Sequence, residues 1–176
     1  MPLTLEKLNA RIPELSAAAI RASLPLHDVR FCAAPGPVAA SSMAPPPPAD
    51  SADWAPLRRG ELWGGAPGAT AATPQPSIGW GIPASGGGTY WLRASLVVPA
   101  DWRGRSVWLS LEWPGDGQAS LEAIIYLDGQ VLSGLDEFHR GALLPEAAQA
   151  GAHELLLRCY VPYHQPFGGL NLRLRD

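Results

Sequence analysis

The second half of the chain alternates between short apolar runs and turn residues, and this pattern constrains the fold more than any other feature. The runs cover residues 90–98, 106–113, 121–127, 130–132, 153–160 and 170–174. β-Branched and aromatic side chains fill them, and Gly, Pro and Asp are common in the intervals. Short strands punctuated by turn residues are typical of antiparallel β-sandwiches and jelly rolls. We therefore predict a mainly β chain folded as an antiparallel β-sandwich.

The composition argues against several classes of function. Thirteen Lys and Arg stand against 16 Asp and Glu, a formal net charge of −3, so the chain offers no basic surface to nucleic acid or to a membrane. No stretch approaches the ~20 apolar residues of a membrane span. An early acid, Glu6, and the lack of a continuous apolar segment argue against a signal peptide. We expect a cytoplasmic protein without a nucleic-acid or membrane partner, in which Cys32 and Cys159 form no disulfide framework.

The N-terminal part reads as a helix over residues 1–25. Its apolar side chains recur at helical spacing and form one stripe, with Leu5, Leu8, Ile12 and Leu15 as its main members. Pro13 should kink this helix and Pro25 should end it. A short helix is marginal alone, so the stripe should rest on the sandwich, on a missing domain or on a second copy of the chain in a homo-oligomer.

The rest of the chain divides by composition. Residues 26–33 predict a strand that docks on the sandwich, and residues 34–52, rich in Pro and Ala, predict an extended linker. Residues 53–176 form the predicted sandwich domain, with an irregular loop over residues 64–88. Within it, Asp128-Gly129 is typical of a two-residue hairpin with a type I′ turn. We expect Ile124 and Leu156 to face the core.

Aromatic and polar side chains supply the candidate contact residues. Seven tryptophans are present, and most should pack in the core or against a domain. Three lie in turn-rich contexts and are expected to be exposed for contact with a glycan or a domain: Trp63, Trp80 and Trp102. Asp136 and His139 lie three residues apart in a predicted loop, where they either contact a sugar hydroxyl or metal, or satisfy backbone groups of the loop. The second interpretation is favoured because a zinc site needs a third ligand.

No catalytic arrangement stands out. His27 and Asp28 are adjacent on a predicted strand and should point to opposite faces, so they are poorly placed to chelate one ion. Nothing marks Glu112, Glu122 or Asp116 as the raised-pKa acid of a glycosidase pair. We therefore expect no catalytic, cofactor-binding or metal-binding residue in this chain.

Four segments nevertheless carry a family resemblance. They are residues 58–65 (RRGELWGG), 90–99 (YWLRASLVVP), 125–130 (IYLDGQ) and 134–140 (GLDEFHR). Together they resemble the N-terminal region of bacterial α-mannosidases of glycoside hydrolase family 38. The pattern Trp-x-Arg-x-x-Leu-x-Val-Pro and a strand ending in Asp-Gly also occur in accessory sandwiches of other glycosidases.

The resemblance implies a galactose-binding-like β-sandwich with an N-terminal helix, preceding a catalytic domain that this chain does not contain. That domain would carry a His-x-Asp zinc motif and an aspartate nucleophile, and His27-Asp28-Val29 does not match the motif. The implied function is that of a non-catalytic accessory domain, or truncated fragment, of an enzyme that hydrolyses terminal α-mannose residues. Its partner would be the zinc-dependent catalytic domain, in cis or in trans. The alternative is a stand-alone carbohydrate-binding module.

Overall fold

The computed structural model describes residues 18–33, 45–60, 86–112, 122–136, 138–148, 151–163 and 168–175, together with residues 7, 11, 12, 14, 77, 78, 82 and 83. No helix among them is long and apolar enough to cross a membrane. The described residues form twelve strands, in chain order β1 (Ile20–Pro25), β2 (Arg30–Ala33), β3 (Ala55–Pro56), β4 (Ser77–Ile78), β5 (Ile82–Pro83), β6 (Gly86–Val98), β7 (Ser106–Leu111), β8 (Glu122–Leu127), β9 (Gln130–Leu135), β10 (Gly141–Leu143), β11 (Gly151–Tyr163) and β12 (Leu170–Arg175).

The strands form two main sheets, and all their pairings are antiparallel. One sheet has four strands in the order β1-β12-β7-β10, and the other has six in the order β3-β2-β6-β11-β8-β9. Strands β4 and β5 form a separate two-stranded ribbon. Short 3-10 helices occur at Ala100–Trp102 and Glu146–Ala148. The predicted antiparallel β-sandwich is confirmed.

Alternation along the strands places the core between the two sheets. In β12, Leu170, Leu172 and Leu174 are buried while the residues between them are half-buried on the outer face. The inner face of the six-stranded sheet is also apolar, and its side chains include Leu92, Leu96, Ile125, Leu155 and Leu157. Full burial of a leucine side chain contributes about 1.5–3 kcal/mol. Packing between the two inner faces therefore fixes the positions of both sheets. It also determines which side chains lie on their outer faces.

Part of the outer face of the six-stranded sheet is also covered. Trp54, Trp91 and Cys32 form a second buried cluster there, with Tyr126 and Leu156 packed against it. The Trp54 indole N–H donates to the carbonyl of Pro48 at 2.8 Å, which ties the end of the proline run to the cluster. Burial, with Asp53 as a smaller cause, raises the pKa of the Cys32 thiol. The described end of the predicted linker, residues 45–52, therefore leads into a segment that packs on the sheet.

The predicted N-terminal helix needs a correction at its end. Residues 20–25, assigned to the helix, form β1 and pair with β12 at the edge of the four-stranded sheet. Ala22 packs against the core there. The alternation of Ile20, Ala22 and Leu24 is compatible with an edge strand as well as with a helical stripe. Most of residues 1–17 lie outside the described residues, so the helix is not confirmed. Of the stripe, Ile12 is described and is 57% exposed.

Two further predictions are corrected: the start of the docking strand, and the face of the sheet on which Ile124 and Leu156 lie. The docking strand begins at Arg30, while His27 and Asp28 lie in a bend, where Asp28 has a left-handed φ of 55°. Ile124 and Leu156 lie half-buried on the outer face, and their neighbours Ile125 and Leu157 are the fully buried ones. The expectation that Ile124 and Leu156 face the inner core was therefore wrong by one residue in each strand.

Candidate functional site

The outer face of the four-stranded sheet holds a groove of 430 Å³ that we call the Trp108 groove. Its floor comes from outward side chains of β7 and β12, and one wall comes from the loop that leads into β10. The groove is lined by Trp108, Ser110, Leu111, Glu112, Phe138, His139, Arg140, Gly141, Arg173 and Arg175. It combines aromatic surface, arginines and a carboxylate in one concave site.

Strand register explains why these side chains meet. β7 and β12 pair so that Trp108 lies opposite Arg173 and Ser106 lies opposite Arg175. Directly opposed residues of an antiparallel pair share a face, so Trp108 and both arginines project outward together. The Arg175 guanidinium carbon lies 5.0 Å from the centroid of the Trp108 ring, a cation–π contact.

A carboxylate holds the second arginine in place. Glu112 forms an ion pair with Arg173, and its Oε1 accepts a hydrogen bond from the Ser110 hydroxyl at 3.4 Å. Both charged side chains are about three-quarters buried, with 25% of Arg173 and 23% of Glu112 exposed. The pair therefore fixes the Arg173 guanidinium on the groove floor.

The arginines retain hydrogen-bonding capacity. The Nε atoms of Arg173 and Arg175 are buried without a hydrogen-bond partner among the described residues. An unsatisfied buried N–H is costly, and such groups call for an explanation such as a bound ligand.

A glycine keeps the groove open beside β7. Gly141 lies opposite Ser110, and a Cβ added to it would stand 2.9 Å from the carbonyl oxygen of Leu109. That distance is too short for any side chain, so the strand pairing requires glycine here and the groove has no side chain at this point.

Asp136 shapes the groove wall. Its Oδ1 accepts hydrogen bonds from the backbone N–H groups of Phe138 at 2.8 Å and His139 at 2.7 Å, and lies 3.0 Å from Nδ1 of His139. The His139 amide, followed by the His139 ring and the Phe138 amide, holds the pKa of the Asp136 carboxyl below its ordinary value. Asp136 therefore satisfies backbone N–H groups of the loop, and this positions Phe138, which is 82% exposed, on the rim of the groove.

The other predicted contact residues lie elsewhere. Trp102 is 5% exposed and belongs to the core, so its expected exposure is wrong: the 3-10 turn Ala100–Trp102 directs its indole inward. Trp63 and Trp80 lie outside the described residues. His139 lines the groove, and Asp136 supports it from behind.

Sequence reasoning missed Trp108, Glu112, Arg173 and Arg175 as site residues. The alternation of β12 already indicated that Arg173 and Arg175 share a polar face. The missing information was that β12 pairs with β7, a long-range contact that no local pattern encodes. Among the described ranges, no group of three or more His, Cys, Asp or Glu side chains could hold a metal ion.

A second pocket, of 320 Å³, lies on the opposite side of the molecule. Pro45 and Pro46 face Trp91 and Tyr126 across it, and the Trp91 and Tyr126 ring centroids are 5.8 Å apart. The Trp91 indole N–H is buried without a hydrogen-bond partner among the described residues. No carboxylate lines this pocket, and Arg158 is its one charged lining residue within the described ranges.

Solved structures of two bacterial glycosidases share the fold of this chain. The β-glucuronidase of Faecalibacterium prausnitzii matches 89% of this chain with a TM-score of 0.55 and 16% identity, over 32% of its own length. A putative β-galactosidase of Bacteroides fragilis matches 88% with a TM-score of 0.50 and 15% identity, over 23% of its length. The chain thus spans less than a third of either enzyme, and at these identities the likeness shows the fold. No protein-family model and no curated protein sequence matches the chain.

Proposed function

We propose that this chain is a non-catalytic β-sandwich accessory domain of a glycoside hydrolase, and that it contacts glycan through the Trp108 groove. The observation that carries the proposal is the groove itself. It presents an aromatic ring beside fixed hydrogen-bonding groups on the outer face of a sandwich. Binding sites of this kind pair an apolar surface with a few well-placed polar groups.

Each part of the groove has a role in this proposal. The Trp108 ring and the exposed Phe138 ring offer flat surfaces for the apolar face of a sugar. Arg173, Glu112 and Ser110 offer donors and acceptors to its hydroxyl groups. Because the Glu112–Arg173 pair is already formed, little side-chain entropy is lost on binding.

The finer proposal is that the parent enzyme is an α-mannosidase. It rests on the four sequence segments that resemble family 38. The similar β-glucuronidase and β-galactosidase structures support a glycoside hydrolase as the parent, but not an α-mannosidase in particular. In this proposal the partner is a zinc-dependent catalytic domain, in cis or in trans. Coding DNA downstream of codon 176 that encodes His-x-Asp followed by Trp supports this parent, and a continuation encoding a different glycosidase domain rejects it.

The alternative is a stand-alone carbohydrate-binding module. The groove favours it to the same degree, because a binding site needs no attached catalytic domain. A stop codon after codon 176, together with glycan binding by the isolated chain, supports this alternative.

Glycan binding is tested by titrating the isotopically labelled chain with a panel of neutral and acidic oligosaccharides and recording amide and indole NMR shifts. We expect shifts at the Trp108 indole and at the amides of residues 138–141. Trp108→Ala should abolish them while the far-ultraviolet circular dichroism spectrum is retained. Tyr160→Ala, which removes an aromatic ring from the other sheet, is the matched control and should bind as the parent does.

The proposal is overturned if no oligosaccharide shifts these signals. It is equally overturned if binding survives Trp108→Ala and disappears with Tyr160→Ala, because the contact surface would then be on the six-stranded sheet.

A further inference from the structure

We infer that the Trp108 groove selects glycans that carry a carboxylate, as a uronic acid residue does. This inference rests on the proposed function and names its ligand class. Three features of the groove lead to it: its charge, the geometry of its arginines and the aromatic surface beside them.

The described lining residues of the groove carry a charge opposite to that of the chain. Among them, Arg140, Arg173 and Arg175 stand beside one carboxylate, Glu112, whereas the whole chain carries a formal charge of −3. Positive charge gathered in a concave site attracts anions and raises their local concentration. A neutral sugar could accept hydrogen bonds from these arginines but would gain no charge attraction from them.

Arg175 is the arginine best placed to receive an anion. Its guanidinium is held over the Trp108 ring, 5.0 Å from the ring centroid, and no ion pair of Arg175 occurs among the described residues. A guanidinium presents paired N–H donors that match both oxygens of a carboxylate. Arg173 differs because Glu112 already occupies it, so we assign the direct carboxylate contact to Arg175 and a supporting positive charge to Arg173.

The groove also has the means to distinguish a sugar from a simple anion. Trp108 and Phe138 lie beside the arginines and supply apolar surface that acetate or chloride cannot use. A carboxylate attached to a pyranose ring is the class of ligand that uses all these groups together.

The test compares methyl glucuronoside with methyl glucoside. The two differ only at C6, which is a carboxylate in the glucuronoside and a hydroxymethyl group in the glucoside. Affinities are measured by NMR titration of the full chain at low ionic strength. Since the carboxylate gains charge-assisted hydrogen bonds that the hydroxymethyl group lacks, we expect the acid to bind at least about tenfold more tightly. The advantage should shrink at about 0.5 M salt, where the Debye length falls to ~4 Å.

Variants assign the effect to the arginine. Arg175→Gln should reduce the preference for the acid to about twofold or less while Trp108 still supports weak binding of both sugars. Arg103→Gln removes a different exposed arginine and should leave the preference intact. Acetate and an acidic hexapeptide are titrated in parallel and should bind at least about tenfold more weakly than the glucuronoside.

The outcomes separate this inference from the proposed function. Equal affinity for the two glycosides, or a preference that survives Arg175→Gln, overturns the inference and leaves the glycan-binding proposal standing. Acetate or the hexapeptide binding as tightly as the glucuronoside also overturns it, since the groove would then be a general anion or peptide site. Binding to none of the glycosides or oligosaccharides overturns both.

Discussion

At the scale of single residues, the side of the sheet on which a side chain lies decides the cost of changing it. Ile125 is fully buried between the sheets, whereas its neighbour Ile124 lies half-buried on the outer face opposite Arg158. A carboxylate at position 125 would have no partner in an apolar core. At position 124 it would face water and the Arg158 guanidinium.

We therefore predict that Ile125→Asp lowers the free energy of unfolding by at least about 3 kcal/mol, and that Ile124→Asp lowers it by less than about 1 kcal/mol. Urea unfolding followed by circular dichroism measures both. The two variants introduce the same side chain at adjacent positions, so each is the other's control. Equal destabilisation would mean that the assigned faces of β8 are incorrect.

The same residues show why the sequence did not reveal the inner face. β8 and β11 are apolar at consecutive positions, so alternation gives no polar marker for the outer side. The reason is physical: the outer face carries the second cluster, where Leu156 and Tyr126 pack against Trp91 and its neighbours. A sheet covered on both faces loses the simple alternating pattern. On β6 the alternation is clear, because Arg93 and Ser95 mark the outer face while Leu92, Ala94 and Leu96 are buried.

At the scale of elements, the β8–β9 hairpin was readable from the sequence because its turn has local chemistry. Asp128 and Gly129 have φ values of 49° and 78°, and Leu127 pairs with Gln130, as in a two-residue type I′ turn. The tip is also tied to β11: Asp128 accepts a hydrogen bond from the Glu154 amide at 2.9 Å and lies 2.7 Å from Nδ1 of His153. The His153 ring, and then the Glu154 amide, lower the pKa of the Asp128 carboxyl.

At neutral pH we predict that the melting temperature is highest for the parent, lower for Asp128→Asn and lowest for Asp128→Ala. Asparagine keeps the left-handed conformation but loses the charge, and alanine loses both the turn preference and the hydrogen bonds. A lowered folded-state pKa means that the ionised carboxyl stabilises the fold above its ordinary pKa of 3.8, and that this contribution is lost as pH falls through the folded value.

Thermal unfolding monitored at neutral pH and again in acid checks both parts of this prediction. The difference between parent and Asp128→Asn should narrow as pH falls through the lowered pKa of Asp128. A difference that grows as pH falls through the lowered pKa of Asp128, or an alanine variant as stable as the parent, would contradict the assigned role of the turn.

Strand β1 is the opposite case, an element whose identity depends on distant residues. The segment from Ile20 to Pro25 contains alanine and leucine, and its apolar positions continue the predicted helical stripe. Its strand conformation comes from pairing with β12, more than 140 positions further along the chain. The Trp108 groove has the same origin, since β7 and β12 are brought together by the fold. Local turns were therefore predictable, whereas the edge strand and the candidate site were not.

At the scale of the whole molecule, the sandwich depends on segments that precede its most regular part. The alternating runs that first indicated the fold begin near residue 89, yet β1 closes one edge of the four-stranded sheet and β2 with β3 extends the six-stranded sheet beyond β6. Val29, Phe31 and Leu57 are buried in the main core, and Trp54 covers Trp91 on the outer face. These contacts all come from the first 60 residues.

We therefore predict that a fragment of residues 86–176 is much less stable than the full chain. Removing the earlier segments leaves β6 and β12 as unpaired edges and exposes Trp91 together with apolar core surface, a combination that favours aggregation. The full chain should elute as a defined species in size-exclusion chromatography and unfold cooperatively. The fragment should aggregate or unfold without a cooperative transition. A fragment of residues 18–176, which keeps every strand, is the matched control and should unfold with a cooperative transition. A monomeric 86–176 fragment with the melting temperature of the full chain would show that residues 89–176 alone specify the sandwich, and that β1, β2 and β3 only decorate it.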